Sequence, residues 1–331
     1  MALMIISKTP YRISFFGGGS DYPNWYNKYS GNVLSSSINK HLYITCRFLP
    51  KFFDHKYRIV WSEIENVQNI KNIKHPTVKK LLNFLKLKKG LEIHYDGDLP
   101  ARSGMGSSSA FTVGLIKALF CLLDKKISNL DIAKKAIYFE QKIMKEIVGS
   151  QDQLATAVGG FNKIIFNKKN NFQFYPINKT KNLANLEKNL LLIYSGSKRT
   201  AQKIARTYVK KLTTTNKFFI RNMIDHVKEG EKILKKGNID EFGKLLHSAW
   251  QMKKKLSNSI SNSKIDTLYD VAIKYGALGG KILGAGGGGF FLFYIKKELQ
   301  KNFLNNNKKI INVPFKFTNI GTEIIFKDLN R

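Results

Sequence analysis

Cysteine is nearly absent from this chain: Cys46 and Cys121 are the only two in 331 residues. Both lie in apolar surroundings, which excludes a disulfide framework and fits reduced core residues of a cytoplasmic protein. No apolar run approaches the length needed to cross a bilayer. Ser7, Lys8 and Pro10 interrupt the first apolar stretch too early for a secretory signal. Acidic residues are scarce as well, with 23 Asp and Glu against 56 Lys and Arg and a formal net charge of +33. Such an excess raises nucleic acid or an anionic membrane surface as a partner. The cations, however, are mostly lysines dispersed among asparagines, as in residues 302–309. Arginine clusters with interleaved aromatics, the commoner nucleic-acid pattern, are missing. The expectation is no nucleic-acid and no membrane partner, with the charge drawing phosphorylated small molecules.

Several nucleotide signatures are missing too. No lysine follows Gly106, so residues 98–112 are not the common P-loop. Ser109 stands where a Rossmann fingerprint has its third glycine. A formal G-x-G-x-x-G at Gly284, Gly286 and Gly289 runs into a buried strand pattern instead of a helix, and no His-Arg-Asp or Asp-Phe-Gly occurs. No internal repeat is evident. Hydrophobic content of 43% and charged content of 24% are those of a globular chain long enough for about two domains.

What is present is a set of glycine-rich segments. The most informative reads Asp98-Leu-Pro-Ala-Arg-Ser-Gly-Met-Gly-Ser-Ser-Ser-Ala-Phe-Thr112, between a strand pattern (91–95) and a helix pattern (107–123). Glycines let backbone approach a phosphate, and the first amides of a helix are unsatisfied donors at its positive end. A lone N-cap would need one serine; three behind two glycines favour a phosphate cradle. The second segment, 9–22, ends a strand in Gly17, Gly18 and Gly19, then Ser20, Asp21 and Tyr22. Asp21 or Ser20 either caps a short helix or meets the hydroxyls of a ligand. Arg12, inside that strand, needs an acidic or phosphate partner. The third, 279–289, brings backbone close to phosphate or substrate, or is a bend before a buried strand. Glu140 lies in an amphipathic helix pattern and Asp152 in Gly149-Ser-Gln-Asp-Gln153. Alone, Asp152 reads as an N-cap. If both share a site with the serine loop, one carboxylate holds Mg²⁺ with a serine hydroxyl and the other orients or deprotonates an attacking hydroxyl.

Strand patterns at 4–7, 12–16, 32–38, 42–48, 57–61 and 91–95 precede helix patterns at 107–123 and 129–147 and a hairpin at 161–177. A polar stretch, 178–185, marks the expected boundary between domains 1–180 and 181–331. Beyond it a strand at 190–194, four helical segments, and a strand–helix–strand–strand ending at 326 complete an α+β architecture.

In sequence order, these three glycine-rich segments and the Asp152 motif resemble the GHMP small-molecule kinases. The stretch Pro100-Ala-Arg-Ser-Gly-Met-Gly-Ser-Ser108 is similar to their phosphate loop, 9–21 to their first motif and 281–290 to their third. Residues 12–19, 106–113, 151–153, 246–250 and 279–289 are most similar to members that phosphorylate C1 of a heptose 7-phosphate. The resemblance implies an N-terminal mixed sheet with helices, a C-terminal ferredoxin-like α/β sandwich, and a monomer or homodimer. It implies ATP and Mg²⁺ as cofactors and a sugar phosphate as acceptor, on the way to GDP-heptose. It gives Asp152 the catalytic role and Arg12 charge stabilisation. Ser108 and Glu140 become the Mg²⁺ ligands, and Pro100, Arg102, Gly104, Met105, Gly106, Ser107, Ser108 and Ser109 the nucleotide loop. Gly17, Gly18, Gly19, Ser20, Asp21, Tyr22, Gly286, Gly287 and Gly288 fall to the sugar, with Arg199, beside Lys198, a candidate for its phosphate or a solvated helix start. Close relatives are expected to carry lysine where this chain has Ser150. A fucose- or galactose-type sugar kinase is the alternative.

Overall fold

The structure is a computed structural model that describes residues 2–178, 180–196 and 201–329. The first half is built on β1 (Ala2–Phe16), β2 (Gly31–Phe48), β3 (Tyr57–Val60), β4 (Ile64–Val67), β5 (Leu91–Gly97), β6 (Phe161–Asn167) and β7 (Asn171–Pro176). Between them run α1 (Pro23–Tyr26), α2 (Pro76–Phe84), α3 (Ser107–Leu122), α4 (Asn129–Tyr138) and α5 (Gln151–Val158). The second half comprises α6 (Lys181–Asn189), β8 (Leu190–Tyr194), α7 (Ala201–Tyr208), α8 (Lys217–Lys236), α9 (Asp240–Lys254) and α10 (Ser263–Lys274). It continues with β9 (Ala277–Ile282), β10 (Phe290–Ile295), α11 (Lys297–Asn306), β11 (Ile311–Asn312) and β12 (Glu323–Leu329).

The larger sheet is mixed, ordered β12-β1-β2-β5-β3-β4, with β6 and β7 joined to β2. Among the described residues only β3 and β5 pair in parallel, across the α2 crossover. The long β2 pairs with β1 along one edge and serves two neighbours on the other: Gly31 to Ser36 face β6, and Leu42 to Phe48 face β5. The smaller sheet is antiparallel, ordered β11-β8-β10-β9. The last strand, β12, returns to pair with β1, so the C-terminal segment closes the first sheet.

Two strand pairs expected from the sequence are single strands. Residues 4–7 and 12–16 join through Pro10, which pairs with His41 beside a register shift in β1. A bulge accepts a residue without an N–H donor. Residues 32–38 and 42–48 join through Asn39-Lys-His41 in the same way. The polar stretch 178–185, expected to lack periodic structure, runs from Lys181 into α6, with Leu183 and Leu186 buried.

Strand β10, Phe-Phe-Leu-Phe-Tyr-Ile, shows no alternation because both its faces are covered. Phe290, Leu292 and Tyr294 pack into the core under the larger sheet, and Phe291, Phe293 and Ile295 into a second core with Trp250 and Tyr269. Helix α3 is buried almost all round, wedged against β1, β2, α4 and α5. That packing fixes the position of the serine loop at its start. Cys46 is buried, Cys121 half-buried, and both are free. Among the described residues no helix is long and apolar enough to cross a membrane.

Candidate active site

Helix α3 begins behind Gly106, whose φ is +77°, and no side chain caps it. A left-handed residue at this point is glycine's role. The uncapped amides of Ser107, Ser108 and Ser109 therefore lie at the positive end of a 16-residue helix, the arrangement that holds phosphate. The loop is anchored to β1, because the Arg12 amide donates to the Met105 carbonyl at 3.1 Å.

Arg12 is 3% exposed and its guanidinium is fully engaged. Nε donates to Asp152 Oδ1 and Nη2 to Asp152 Oδ2, both at 2.8 Å, while Nη1 donates to the Gly104 carbonyl at 2.8 Å. A bidentate fork of this kind fixes a carboxylate in angle as well as distance. Asp152 is the second residue of α5, where the helix dipole favours an anion, and it caps nothing. A Cβ at Gly106 would come 3.5 Å from Asp152 Oδ2, so this carboxylate lies directly against the phosphate loop. Its side chain remains 30% exposed.

Glu140 sits on a single π-helical turn, Phe139–Ile143, that ends α4. Such turns often mark functional positions. It is 1% exposed, and burial pushes its carboxyl up to about 7. Oε2 accepts from Ser109 Oγ at 2.9 Å and from Gln153 Nε2, whereas Oε1 is buried without a partner. Of the two residues expected as Mg²⁺ ligands, Glu140 is thus hydrogen-bonded to Ser109, and Ser108 is exposed on the same turn.

The segment 17–22 divides by role. The Ser20 hydroxyl is consumed within the turn, donating to the Gly17 carbonyl at 2.7 Å and accepting from the Asn32 amide at 3.0 Å. Asp21 accepts from the Gly19 amide at 2.9 Å and from the Gln151 amide. Burial, reinforced by the charge of Asp152, pushes Asp21 up to about 6. Its carboxylate leaves no room for a side chain at Gly149. Tyr22 pairs with Tyr208 of α7, and burial drives Tyr208 up to about 12, with smaller contributions from Asp21 and Asp152. Tyr208 escaped the sequence reading because it lies in a helix remote from every motif.

The Ser150 hydroxyl is buried between the Tyr26 hydroxyl and Gln141 Nε2, each at 3.1 Å. Position 150 therefore braces α1 against the α4–α5 connection. The third glycine segment forms the end of β9 and the turn into β10. Gly284 presses on Gly104 and Gly289 on Ser103, each too closely for a Cβ. Gly286 packs on Ile260, whose carbonyl accepts from the Gly287 amide at 2.7 Å. Lys198 and Arg199 lie outside the described residues.

The GHMP kinases N terminal domain model matches residues 72–160, and the GHMP kinases C terminal model matches 231–310. The D-glycero-alpha-D-manno-heptose 7-phosphate kinase of Campylobacter jejuni is 30% identical over 320 residues, covering 92% of this chain and 93% of that one. The chain belongs to the GHMP kinase family. It is thus a sugar kinase that transfers phosphate to a hydroxyl, and kinases of this family use ATP. The bifunctional fucokinase/GDP-fucose pyrophosphorylase of Arabidopsis thaliana is 27% identical over 88% of this chain and 30% of its own length. Among solved structures, a D-glycero-D-manno-heptose 1-phosphate kinase from Bacteroides thetaiotaomicron superposes with a TM-score of 0.77. It covers 97% of this chain and 98% of that one at 23% identity, which establishes a shared fold.

Proposed function

We propose that this GHMP kinase transfers the γ-phosphoryl group of ATP, in line, to the anomeric C1 hydroxyl of D-glycero-D-manno-heptose 7-phosphate, giving the 1,7-bisphosphate. The observation that supports the reading is the Arg12–Asp152 fork set against Gly106, an oriented carboxylate beside the uncapped start of α3. Similarity to the Campylobacter jejuni heptose kinase over nearly the whole chain supports the choice of sugar.

In this mechanism the amides of Gly106, Ser107 and Ser108 hold the phosphates. Phosphoryl transfer is mainly positioning and charge stabilisation, and both are supplied by groups that need no rearrangement. Asp152 accepts the proton of the attacking hydroxyl, and Arg12 fixes its oxygens and places positive charge beside the transferred group. Asp21, braced by the Gly19 and Gln151 amides, holds sugar hydroxyls, with Tyr22 and Tyr208 forming the wall next to it.

The residues present fit Mg²⁺. Glu140 Oε1 is a buried carboxylate oxygen without a partner, and Ser108 offers a free hydroxyl beside the phosphate cradle. Among the described residues there is no cluster of three His, Cys, Asp or Glu side chains able to hold a metal. That suits Mg²⁺, which takes one or two carboxylates and completes its shell with substrate phosphates and water. When bound, it neutralises charge on the phosphoryl oxygens.

A coupled ADP-release screen over sugar 7-phosphates, sugar 6-phosphates and free sugars tests the assignment. Turnover should be highest with the heptose 7-phosphate. Preference for an unphosphorylated fucose or galactose would transfer the chain to the alternative specificity.

A further inference from the structure

Among the described residues, two lysines behind the site have no carboxylate partner, although burying an ammonium costs several kcal/mol. Lys281, 4% exposed in β9, donates from Nζ to the carbonyls of Ser14 and Phe15 on β1, at 3.0 and 2.5 Å. Lys253, 7% exposed in the last turn of α9, donates to the carbonyls of Ile282 and Gly284 at 2.8 and 2.6 Å. Burial holds both well below the ordinary lysine range, and the positive charge of Arg12 lowers each further. Two lysine amino groups and the Arg12 guanidinium are thus gathered behind the open carboxylate of Asp152. The contacts form an unbroken line: Lys253 grips the Gly284 carbonyl, Gly284 presses on Gly104, and the Gly104 carbonyl accepts from Arg12 Nη1. Arg12 in turn holds Asp152 by its other two nitrogens.

We propose that Lys253 is a positioning residue for phosphoryl transfer. It pulls the β9–β10 turn onto the phosphate loop, so that the Gly104 carbonyl fixes the angle at which Arg12 presents Asp152. Lys281 ties the start of the same hairpin to β1, the strand that carries Arg12, so the two lysines set hairpin and strand in one register. This inference rests on the kinase reading of Arg12 and Asp152. The line of contacts needs a side chain that reaches both carbonyls of the turn from α9, and Lys253 supplies it.

The test uses the full chain with ATP and the best acceptor from the sugar screen, comparing Lys253→Met and Lys253→Gln with wild type. Lys253→Met keeps the length of the side chain and removes every donor. Its kcat per folded molecule should fall about 10²-fold, the cost of a misplacement near 1 Å, while KM for the sugar stays unchanged. Lys253→Gln, with a neutral donor, should be intermediate, and it carries the test should the methionine variant fail to fold. Thermal melts measure the folded fraction. Wild-type kcat in either folded variant, or a loss of activity fully accounted for by unfolded protein, overturns the proposal. Asp152→Asn run alongside separates the two failures. If it is inactive while the Lys253 variants turn over normally, only the role of Lys253 is lost; if it remains active, the kinase reading of the fork is lost.

Discussion

Two carboxylates border the phosphate loop, and they are held in opposite ways. Asp152 is 30% exposed at its side chain and gripped by a guanidinium on both oxygens. Glu140 is 1% exposed, meets only neutral donors, and keeps one oxygen bare. The difference teaches how one fold assigns two jobs to one functional group. An anion already paired with a cation is fixed in direction, which in the proposed mechanism turns Asp152 to the acceptor. A carboxylate buried beside neutral donors lacks a counter-charge, which in the same proposal a cation bound with the nucleotide would supply.

The comparison breaks most visibly at Asp152. Asp152→Asn should lower kcat about 10²–10⁴-fold, the usual worth of general-base catalysis, while nucleotide binding measured by calorimetry stays near wild type. Glu140→Gln should behave differently. The Mg²⁺ concentration for half-maximal rate should rise about 10–100-fold, the scale on which metal sites lose affinity when their support is removed.

The same variant has a signature in stability. Burial raises the Glu140 carboxyl from its ordinary 4.5 to about 7. Between those values the folded chain retains a proton that the unfolded chain has released. The contribution is thus complete below the lower value and lost as pH rises through the upper. Thermal midpoints of the metal-free protein should fall as pH rises through this window, and Glu140→Gln should flatten the fall. Asp21, raised to about 6, contributes in the same direction at slightly lower pH, so Asp21→Asn is the control.

The smallest effects separate adjacent serines. Ser109→Ala removes a hydroxyl donor to Glu140 and should cost about 1 kcal/mol of stability, with the Mg²⁺ titration unmoved. Ser108→Ala should leave stability alone and raise the Mg²⁺ requirement. The reverse pattern would make Ser109 the ligand.

The site was most legible where its chemistry is local. The serine loop, Arg12, Asp21, Glu140 and Asp152 all stand in short motifs whose residue types announce a charge or a backbone approach. Their mutual geometry was legible only through the family pattern, because Arg12 and Asp152 lie 140 positions apart. Choosing between Ser108 and Ser109 needed the helix phase relative to Glu140, which spacing does not reveal. Tyr208, Lys253 and Gln153 are set by tertiary packing, and only Gln153 sits inside a recognisable motif. In the fold, the glycines of β9 concealed a strand. Gly280 is there because a Cβ would strike Phe293, and Gly279 because it would strike α9 at His247. Polar Lys and Asn residues hid α6, whose burial rests on Leu183 and Leu186. Pro10 split β1 on paper, yet its position at a register shift lets the strand run through.

The claim that Arg12 and Asp152 act as one unit is tested most directly by a double-mutant cycle on kcat, using Arg12→Met, Asp152→Asn and the combination. Residues that act through one another lose their effects together. The double variant should therefore be no slower than Asp152→Asn alone. Losses that multiply across the two substitutions would show that the fork is not the reacting centre and contradict the account.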